Sequence, residues 1–266
     1  MKKTQIIILS VLTIILLLAA TFADRSMASK SAISKTIKGD GFVVLELFTS
    51  EGCSSCPAAD ELLAKVQREA GNKPVYVLAY HVDYWDRLGW RDVFSSPGYS
   101  KRQYQYANKL GAQVYTPQVV VNGKTEFVGS NLAALDFALA SGLNGVQEST
   151  IRLEGRQNDG KLELSYQVTG KSQDDQLLIA VVQKNAVHQI KRGENEGRTL
   201  THAQIVRSLQ AFPLGKADAG EVSFLMPKDY NTSAWEIIGL LQGTKTSAIH
   251  GATRAMMTST DNQIQK

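Results

Sequence analysis

Residues 41–70, GFVVLELFTSEGCSSCPAADELLAKVQREA, decide the fold prediction because they join a strand, a cysteine pair and a helix. The run over residues 41–49 is apolar and rich in β-branched side chains, which is typical of a buried strand. From residue 58 to residue 70 the apolar side chains recur at helical spacing and stop at a glycine, which predicts a helix. Cys53 and Cys56 lie between these two elements.

The segments that follow continue the alternation of strands and helices. The patterns predict a strand, a helix, a hairpin and a closing helix, in that order, over residues 74–82, 99–110, 114–128 and 132–143. Asn122-Gly123, between the two apolar runs of the hairpin, is the strongest short-range hairpin signal. The sequence therefore predicts an α/β domain over residues 41–145.

Residues 146–255 are predicted to form a smaller, β-rich C-terminal unit. Apolar runs separated by Gly, Asn and Asp predict strands over residues 149–154, 161–168, 176–183, 220–225 and 234–243. Several short strands at such spacing indicate a sandwich-like architecture. Within this unit, residues 191–209 are predicted as a polar loop with a helix or strand behind it. We favour a solvated charged loop over an anion-binding site there, and residues 256–266 are predicted as a tail.

The N-terminal 40 residues differ in composition from the rest of the chain. A lysine pair precedes an apolar run over residues 6–20, and small residues follow, which is the layout of a secretory signal peptide. Residues 1–23 fit either a signal peptide cleaved before Asp24 or an uncleaved membrane anchor. The polar residues 24–40 predict a flexible linker. We therefore expect a periplasmic or extracellular protein, in a compartment where disulfides persist.

Composition and charge exclude several classes of function. The chain of 266 residues is 43% hydrophobic and 20% charged, which excludes collagen-like, coiled-coil and wholly disordered proteins. Two cysteines exclude a disulfide-rich scaffold and a site with four thiolates. The net charge of +4 lies entirely in residues 1–40, with six basic and two acidic side chains. We therefore expect no nucleic-acid partner.

The motif Cys53-Ser54-Ser55-Cys56-Pro57 has the layout of a redox pair. Two intervening residues on the first turn of a helix allow the sulfurs to close a small disulfide ring. The positive end of the helix dipole favours a thiolate on Cys53. Cys56 lies deeper in the helix and would resolve a mixed disulfide by attacking the sulfur of Cys53.

Two motifs together resemble the thioredoxin fold. They are the cysteine pair after a strand, and Thr116-Pro117 at the start of the run VVVNG. The resemblance covers about residues 41–145. It implies that Pro117 is cis and that Thr116 and Pro117 face the redox pair and hold an extended peptide or thiol substrate.

A closer resemblance includes the motifs on either side. The segments LFTSEGCSSCPAAD, HVDYWDRLGWRD, YTPQVVVNG and GENEGRTLTHAQIVR are together similar to a bacterial secreted thioredoxin-like family that is catalogued as a domain of unknown function. This resemblance runs through most of residues 41–255. It implies a fold, but it does not indicate a substrate.

Three further polar residues are candidates for proton transfer or tuning of the cysteines. Glu46 lies in the apolar strand before the motif, one position from the buried acid of thioredoxins, and is either a proton acceptor for Cys56 or a carboxylate paired with a lysine. His81 and Asp83 are predicted to share one face of the next strand. They either tune Cys53 and contact substrate, or they only cap the end of the strand.

Three functions remain open at this point. The first is an exported thiol–disulfide oxidoreductase that needs no cofactor, acts on thiol or disulfide client proteins or small thiols, and associates with the membrane if residues 1–23 are retained. The second is a copper or zinc module that binds metal through Cys53, Cys56 and His81. The third is a non-catalytic, partner-binding protein in which the Cys53–Cys56 disulfide is only a staple.

Overall fold

The computed structural model describes residues 41–147, 149–230 and 233–258. The predicted signal or anchor segment 1–23 and the linker 24–40 lie outside these residues. In the first half the strands are β1 (Val43–Thr49), β2 (Val75–His81), β3 (Gln118–Val121) and β4 (Thr125–Val128). The helices are α1 (Pro57–Ala70), α2 (Pro97–Leu110) and α3 (Leu132–Leu143), and a 3-10 helix (Asp83–Leu88) follows β2.

The second half of the described chain contains β-strands. They are β5 (Thr150–Asn158), β6 (Lys161–Thr169), β7 (Asp175–Gln189), β8 (Thr199–Pro213), β9 (Ala219–Leu225), β10 (Trp235–Gly243), β11 (Ile249–Arg254) and β12 (Met256–Thr258). The fold is thus mixed α/β, with helices in the first half and strands throughout.

The strands form two sheets. The larger sheet has eight strands in the order β11-β10-β7-β8-β2-β1-β3-β4, and the smaller has four in the order β12-β5-β6-β9. Strand β1 pairs in parallel with β2, and β2 pairs in parallel with β8 at Ala79 and Ile205. The larger sheet therefore contains strands from both sides of the predicted boundary at residue 145.

Apolar side chains cover both faces of the central strands. On one face, Leu45 of β1 and Val77 of β2 pack with residues of α1 and α3, such as Leu63 and Leu139. On the other face, a second cluster contains Tyr99 and Tyr106 of α2 together with Phe48, Tyr80 and the strand residues Val182, Val206 and Leu240. Because this second cluster draws on both halves of the chain, neither half has a complete core of its own.

The smaller sheet packs against the far end of the larger one. Leu153, Leu162 and Leu164 of the smaller sheet form a cluster with Ile179 of β7 and Ile237 of β10. Side chains that alternate between buried and exposed along β5 and β6 produce this two-layer packing.

The structure decides one open prediction for the second half and corrects another. Segment 191–209 is predicted as a polar loop with a helix or strand behind it, and the structure shows the strand: from Thr199 onward the segment belongs to β8, which pairs with β7. The sequence pattern does not distinguish this strand from a helix because Gln204 has a positive φ of 57° and the register shifts nearby, so the alternation of buried side chains is interrupted. The start of the predicted tail forms β12, which pairs with β5.

Within the described ranges, none of the helices has both the length and the apolar character that a bilayer span requires.

Candidate functional site

Cys53 and Cys56 form a disulfide at the start of α1. The N–H of Cys53 donates to the carbonyl oxygen of Ser50 at 3.2 Å, and the N–H of Cys56 donates to that of Cys53, also at 3.2 Å. These two turns carry the chain from β1 to Cys56, which is the N-cap of α1, and Pro57 follows where a missing N–H costs no helical bond. Both cysteines are completely buried.

Thr116 and Pro117 are linked to this cysteine loop through Trp85. The peptide bond between them is cis, as the thioredoxin resemblance implies. The indole Nε1–H of Trp85 donates to Oγ1 of Thr116 at 2.9 Å, and a Cβ added to Gly52 would lie 3.3 Å from the Cβ of Trp85. Trp85 therefore lies between the cis peptide and the cysteine loop.

Glu51, two residues before Cys53, is fully buried among polar partners. Its Oε1 lies 2.9 Å from Nδ1 of His188 and 3.2 Å from Nε2 of His202, and its Oε2 accepts from Nε1–H of Trp90 at 2.7 Å. Its backbone N–H donates to Oδ2 of Asp92 at 2.9 Å. A buried carboxylate with this many partners fixes the backbone that leads into the disulfide.

His81 and Asp92 form a buried ion pair behind Glu51. Nδ1 of His81 lies 2.6 Å from Oδ2 of Asp92, and Oδ1 of Asp92 accepts from the N–H of Phe94 at 2.9 Å. Burial lowers the pKa of His81, but the carboxylates of Asp92, Asp60 and Glu51 together raise it above its ordinary value. Burial raises the pKa of Asp92, but His81 and the backbone hydrogen bonds lower it to about 2. Both shifts favour the charged form of the pair.

Asp60 is a third buried carboxyl group, one helical turn after Cys56. Its side chain accepts from Oγ1 of Thr49 at 3.1 Å. Burial raises the pKa of Asp60, and the nearby charges of His202 and His81 offset this only in part. Asp60 therefore keeps its proton to higher pH than an ordinary aspartate.

The loop between β7 and β8 covers the cysteine loop. The fully buried Asn195 donates from Nδ2 to the carbonyl oxygens of Glu51 at 2.8 Å and Cys53 at 3.0 Å. The N–H of Ser54 donates to Oε2 of the exposed Glu194 at 3.1 Å, and the side chain and the backbone N–H of Ser54 together lower the pKa of Glu194. The segment that was predicted as a solvated loop thus contacts the redox motif directly.

The structure places Glu46 apart from the cysteines. Glu46 accepts from Nε of Arg102 at 2.7 Å and from the hydroxyl of Tyr106, both on α2. It therefore lies on the face of β1 that α2 covers, whereas α1 and Cys56 lie on the opposite face. The paired base is an arginine rather than the lysine considered from sequence.

His81 and Asp83 are separated as well. The prediction that they share a strand face is wrong because β2 ends at His81 and Asp83 begins the 3-10 helix. The carboxylate and the N–H of Asp83 both bond to Oγ of Ser100, so Asp83 fastens this helix to α2. His81 lies with the buried network beside the cysteine loop, and Asp83 does not.

The sequence analysis did not identify several residues of the site, and only one of those discussed next had a usable signal. Asp60 follows Cys56 by four residues, so its position on the inner side of the helix was a usable signal. Asn195 and His202 had no such signal, since they reach the cysteine loop from more than 140 positions along the chain.

The metal hypothesis finds no support in the described ranges. These contain no group of three or more His, Cys, Asp or Glu side chains arranged to hold a metal ion. The two thiols that the hypothesis needs are joined to each other.

Comparison with known proteins identifies a family. A crystal structure of an Agrobacterium tumefaciens protein, determined in a structural genomics programme, is 25% identical with a TM-score of 0.63, and the match covers 86% of this chain and 99% of that one. A domain of the outer membrane lipoprotein Omp28 from Porphyromonas gingivalis is 8% identical over 43% of this chain and 93% of its own, with a TM-score of 0.25, too low to indicate a shared fold. No curated protein matches. A family model described as "Protein of unknown function (DUF1223)" matches residues 44–242, and the chain therefore belongs to this family.

Proposed function

We propose that this protein is an exported thiol–disulfide oxidoreductase that acts through Cys53 and Cys56 on protein or small thiol and disulfide substrates. The observation that carries the proposal is the position of the disulfide, which lies at the N-cap of α1 directly after a central strand. The link from Thr116 to the same loop through Trp85 adds to this support.

The arrangement of the first half also supports the proposal. Strand, helix, strand, helix, hairpin and helix follow one another from β1 to α3, and the strands lie in the order β2-β1-β3-β4. The succession of elements along the chain is the one predicted from the sequence for residues 41–145. In a thioredoxin-like domain, Thr116 and Pro117 would hold an extended client next to the disulfide.

The chemistry is a dithiol–disulfide exchange. In the reducing direction, the thiolate of Cys53 attacks one sulfur of a client disulfide, and one client thiolate leaves. Cys56 then attacks Sγ of Cys53, expels the second client thiolate and re-forms the Cys53–Cys56 bond. Two electrons pass from the protein dithiol to the client disulfide, and the client thiolates take up the two protons that the cysteines release. The reverse sequence oxidises a client dithiol.

Two features of the site assist these steps. The free N–H groups and the positive end of the α1 dipole stabilise a thiolate on Cys53. Asp60, one turn beyond Cys56 on the inner face of α1, has a pKa raised by burial, and in this proposal it exchanges a proton with Cys56. These assignments give each cysteine a distinct role.

Export belongs to the same proposal. The apolar residues 6–20 behind a lysine pair support delivery to the periplasm or the cell exterior. In that compartment the disulfide would persist between reactions.

A trapping experiment tests the proposed reaction. The Cys56→Ala variant retains the attacking thiol and lacks the resolving one, so it should accumulate mixed disulfides with clients, visible as bands that disappear on reduction. The Cys53→Ala variant is the matched control and should trap far less. Equal trapping by both variants, or none by either, would contradict the proposal.

The reduction potential then gives the direction of the reaction. Equilibration of the Cys53–Cys56 couple with glutathione buffers measures it. A potential near about −200 mV or above indicates an oxidant or isomerase, and one near about −270 mV or below indicates a reductant.

A further inference from the structure

The complete burial of the disulfide conflicts with exchange in the closed structure. Thiol–disulfide exchange requires an attacking sulfur to reach Sγ of Cys53 along the S–S bond. Neither Cys53 nor Cys56 has any exposed surface, although Ser54 and Ser55 between them are exposed. Part of the protein must therefore move before a client sulfur can reach the pair.

The β7–β8 loop is the segment whose attachment fits such a movement. It bonds to the cysteine loop through two side chains, Asn195 on the carbonyls of Glu51 and Cys53, and Glu194 on the N–H of Ser54. Each of these three bonds joins a side chain to a backbone group. They can break without disturbing a strand ladder.

The loop also has an internal structure of its own. The N–H of Ile190 donates to the carbonyl of Arg198 at 2.9 Å, and the N–H of Gly197 donates back to the carbonyl of Ile190 at 2.9 Å. Nη1 of Arg198 donates to Oδ1 of Asn195 at 2.7 Å, which orients its amide. A loop closed on itself in this way can move as one piece on the ends of β7 and β8.

The loop rests on an aromatic side chain at its other edge. Gly193 has a φ of 79°, and a Cβ placed there would lie 3.2 Å from the Cβ of Trp90. Trp90 is in turn anchored to Glu51. The β7–β8 loop therefore packs closely against Trp90, which is itself held by Glu51.

We propose that the β7–β8 loop is a gate over the Cys53–Cys56 disulfide and that Asn195 is the positioning residue that holds it closed. The proposal rests on the proposed function, because the gate controls exchange at the same disulfide. When the gate opens, the carbonyls of Glu51 and Cys53 and the N–H of Ser54 become free, and the cysteine loop becomes accessible to a client chain.

The test measures the rates of reduction and re-oxidation of the full chain. Dithiothreitol reduces the disulfide and its oxidised form restores it, while alkylation and mass spectrometry count free thiols over time. Asn195→Asp preserves the size of the side chain and the acceptor for Arg198 but removes both N–H donors. Asn185→Asp, at an exposed position of β7, makes the same change of charge away from the gate.

We expect Asn195→Asp to raise both rates by about thirtyfold, the factor for the loss of two hydrogen bonds of ordinary net strength. The equilibrium constant with dithiothreitol should stay within about twofold, since a gate limits both directions equally. Asn185→Asp should match the unaltered protein. Rates for Asn195→Asp equal to those of the control would overturn the proposal. A faster reduction with an unchanged re-oxidation would also overturn it, because Asn195 would then only stabilise the oxidised state.

A second variant covers the case in which Asn195→Asp fails to fold, as judged by circular dichroism. Glu194→Ala removes the acceptor for Ser54 from an exposed position and should raise both rates by a few fold. Unchanged rates in this variant would then overturn the gate. Because dithiothreitol is the only reductant, the result is independent of the trapping experiment: a chain that traps no client can still show gated reduction.

Discussion

Glu51 holds the cysteine loop through both its side chain and its backbone. The carboxylate pairs with two histidines and a tryptophan, the N–H with Asp92 and the carbonyl with Asn195. A buried charge is stable only when its partners are in place, so a network of this kind is sensitive to the loss of any member. The geometry of the disulfide therefore depends on residues that never touch sulfur.

Asp92→Asn tests this network through pH. The pKa of His81 is raised in the folded protein, so the pair stabilises the fold fully below the unfolded histidine value of about 6.5 and loses this effect as pH rises through the folded pKa. Asp92, with a folded pKa of about 2, is ionised throughout that range. We expect Asp92→Asn to lower the free energy of unfolding by roughly 3 kcal/mol at pH 6 and by less at pH 9.

Urea unfolding of both proteins at the two pH values measures this difference. Asp86→Asn is a useful control because Asp86 bonds to Ser95 and to the N–H of Asp92 but to no histidine. Its effect should be independent of pH over the same range. An equal loss for Asp92→Asn at pH 6 and pH 9 would contradict the charged pair.

The sequence reveals only part of the site at this scale. Cys53, Cys56, Thr116 and Pro117 belong to short motifs, and a motif is visible without a structure. Asn195, by contrast, acts through an amide that reaches backbone atoms of Glu51 and Cys53. Such contacts depend on how strands that are distant in sequence pair in the sheet, and the local sequence pattern does not indicate them.

At the scale of elements, the helices and turns of the first half lie where the local sequence pattern predicts them. The predicted helix over 132–143 coincides with α3, and the predicted turn at Asn122-Gly123 connects β3 to β4. These elements have strong apolar periodicity and clear stops. Strand β8 has neither, because Gln204 has a positive φ and the successive residues 204–206 are all buried, which interrupts the alternation.

The β3–β4 turn also joins the two halves, and Gly123→Ala tests this. Gly123 has a φ of 64°, and a Cβ there would overlap the carbonyl oxygen of Ser247 in the β10–β11 turn. We expect a loss of roughly 3 kcal/mol, since a left-handed backbone costs about 1–2 kcal/mol and overpacking about 1–3 kcal/mol.

Gly111→Ala is the matched control for this change. Gly111 has the same φ of 64°, and a Cβ there would meet nothing within 4 Å. It should therefore show only the backbone cost, about 1 kcal/mol. Thermal and urea unfolding of the two variants give the comparison. Equal losses of unfolding free energy in the two variants would mean that the contact with Ser247 does not contribute to stability.

At the scale of the whole molecule, the larger sheet unites two halves that the sequence suggests are separate. The predicted pattern changes near residue 145 from alternating strands and helices to strands, which is why a boundary is predicted there. The pairing of β2 with β8 and the shared apolar cluster cross that boundary. A pairing between Ala79 and Ile205 leaves no trace in local periodicity, so only the structure reveals it.

Residues 41–145 alone should therefore not form a native domain. Without β8, the edge of β2 loses its partner, and Tyr80 and Phe48 lose the side chains of Val182 and Val206 that cover them. We expect poor dispersion in amide NMR spectra and no cooperative thermal transition, in contrast to the full chain. A well-dispersed spectrum with a sharp transition would show that the first half folds independently.

The junction between β2 and β8 also has a consequence for the time course of biosynthesis. The ribosome completes β2 long before it reaches Ile205, nearly half the chain later. At roughly 5–20 residues per second, the open edge of β2 waits on the order of ten seconds for its neighbour. Non-local pairing of this kind folds slowly, and an unpaired apolar edge invites association with other chains. We expect the yield of this protein in a cell to depend on what shields that edge during the interval, more than on the stability of the finished sheet.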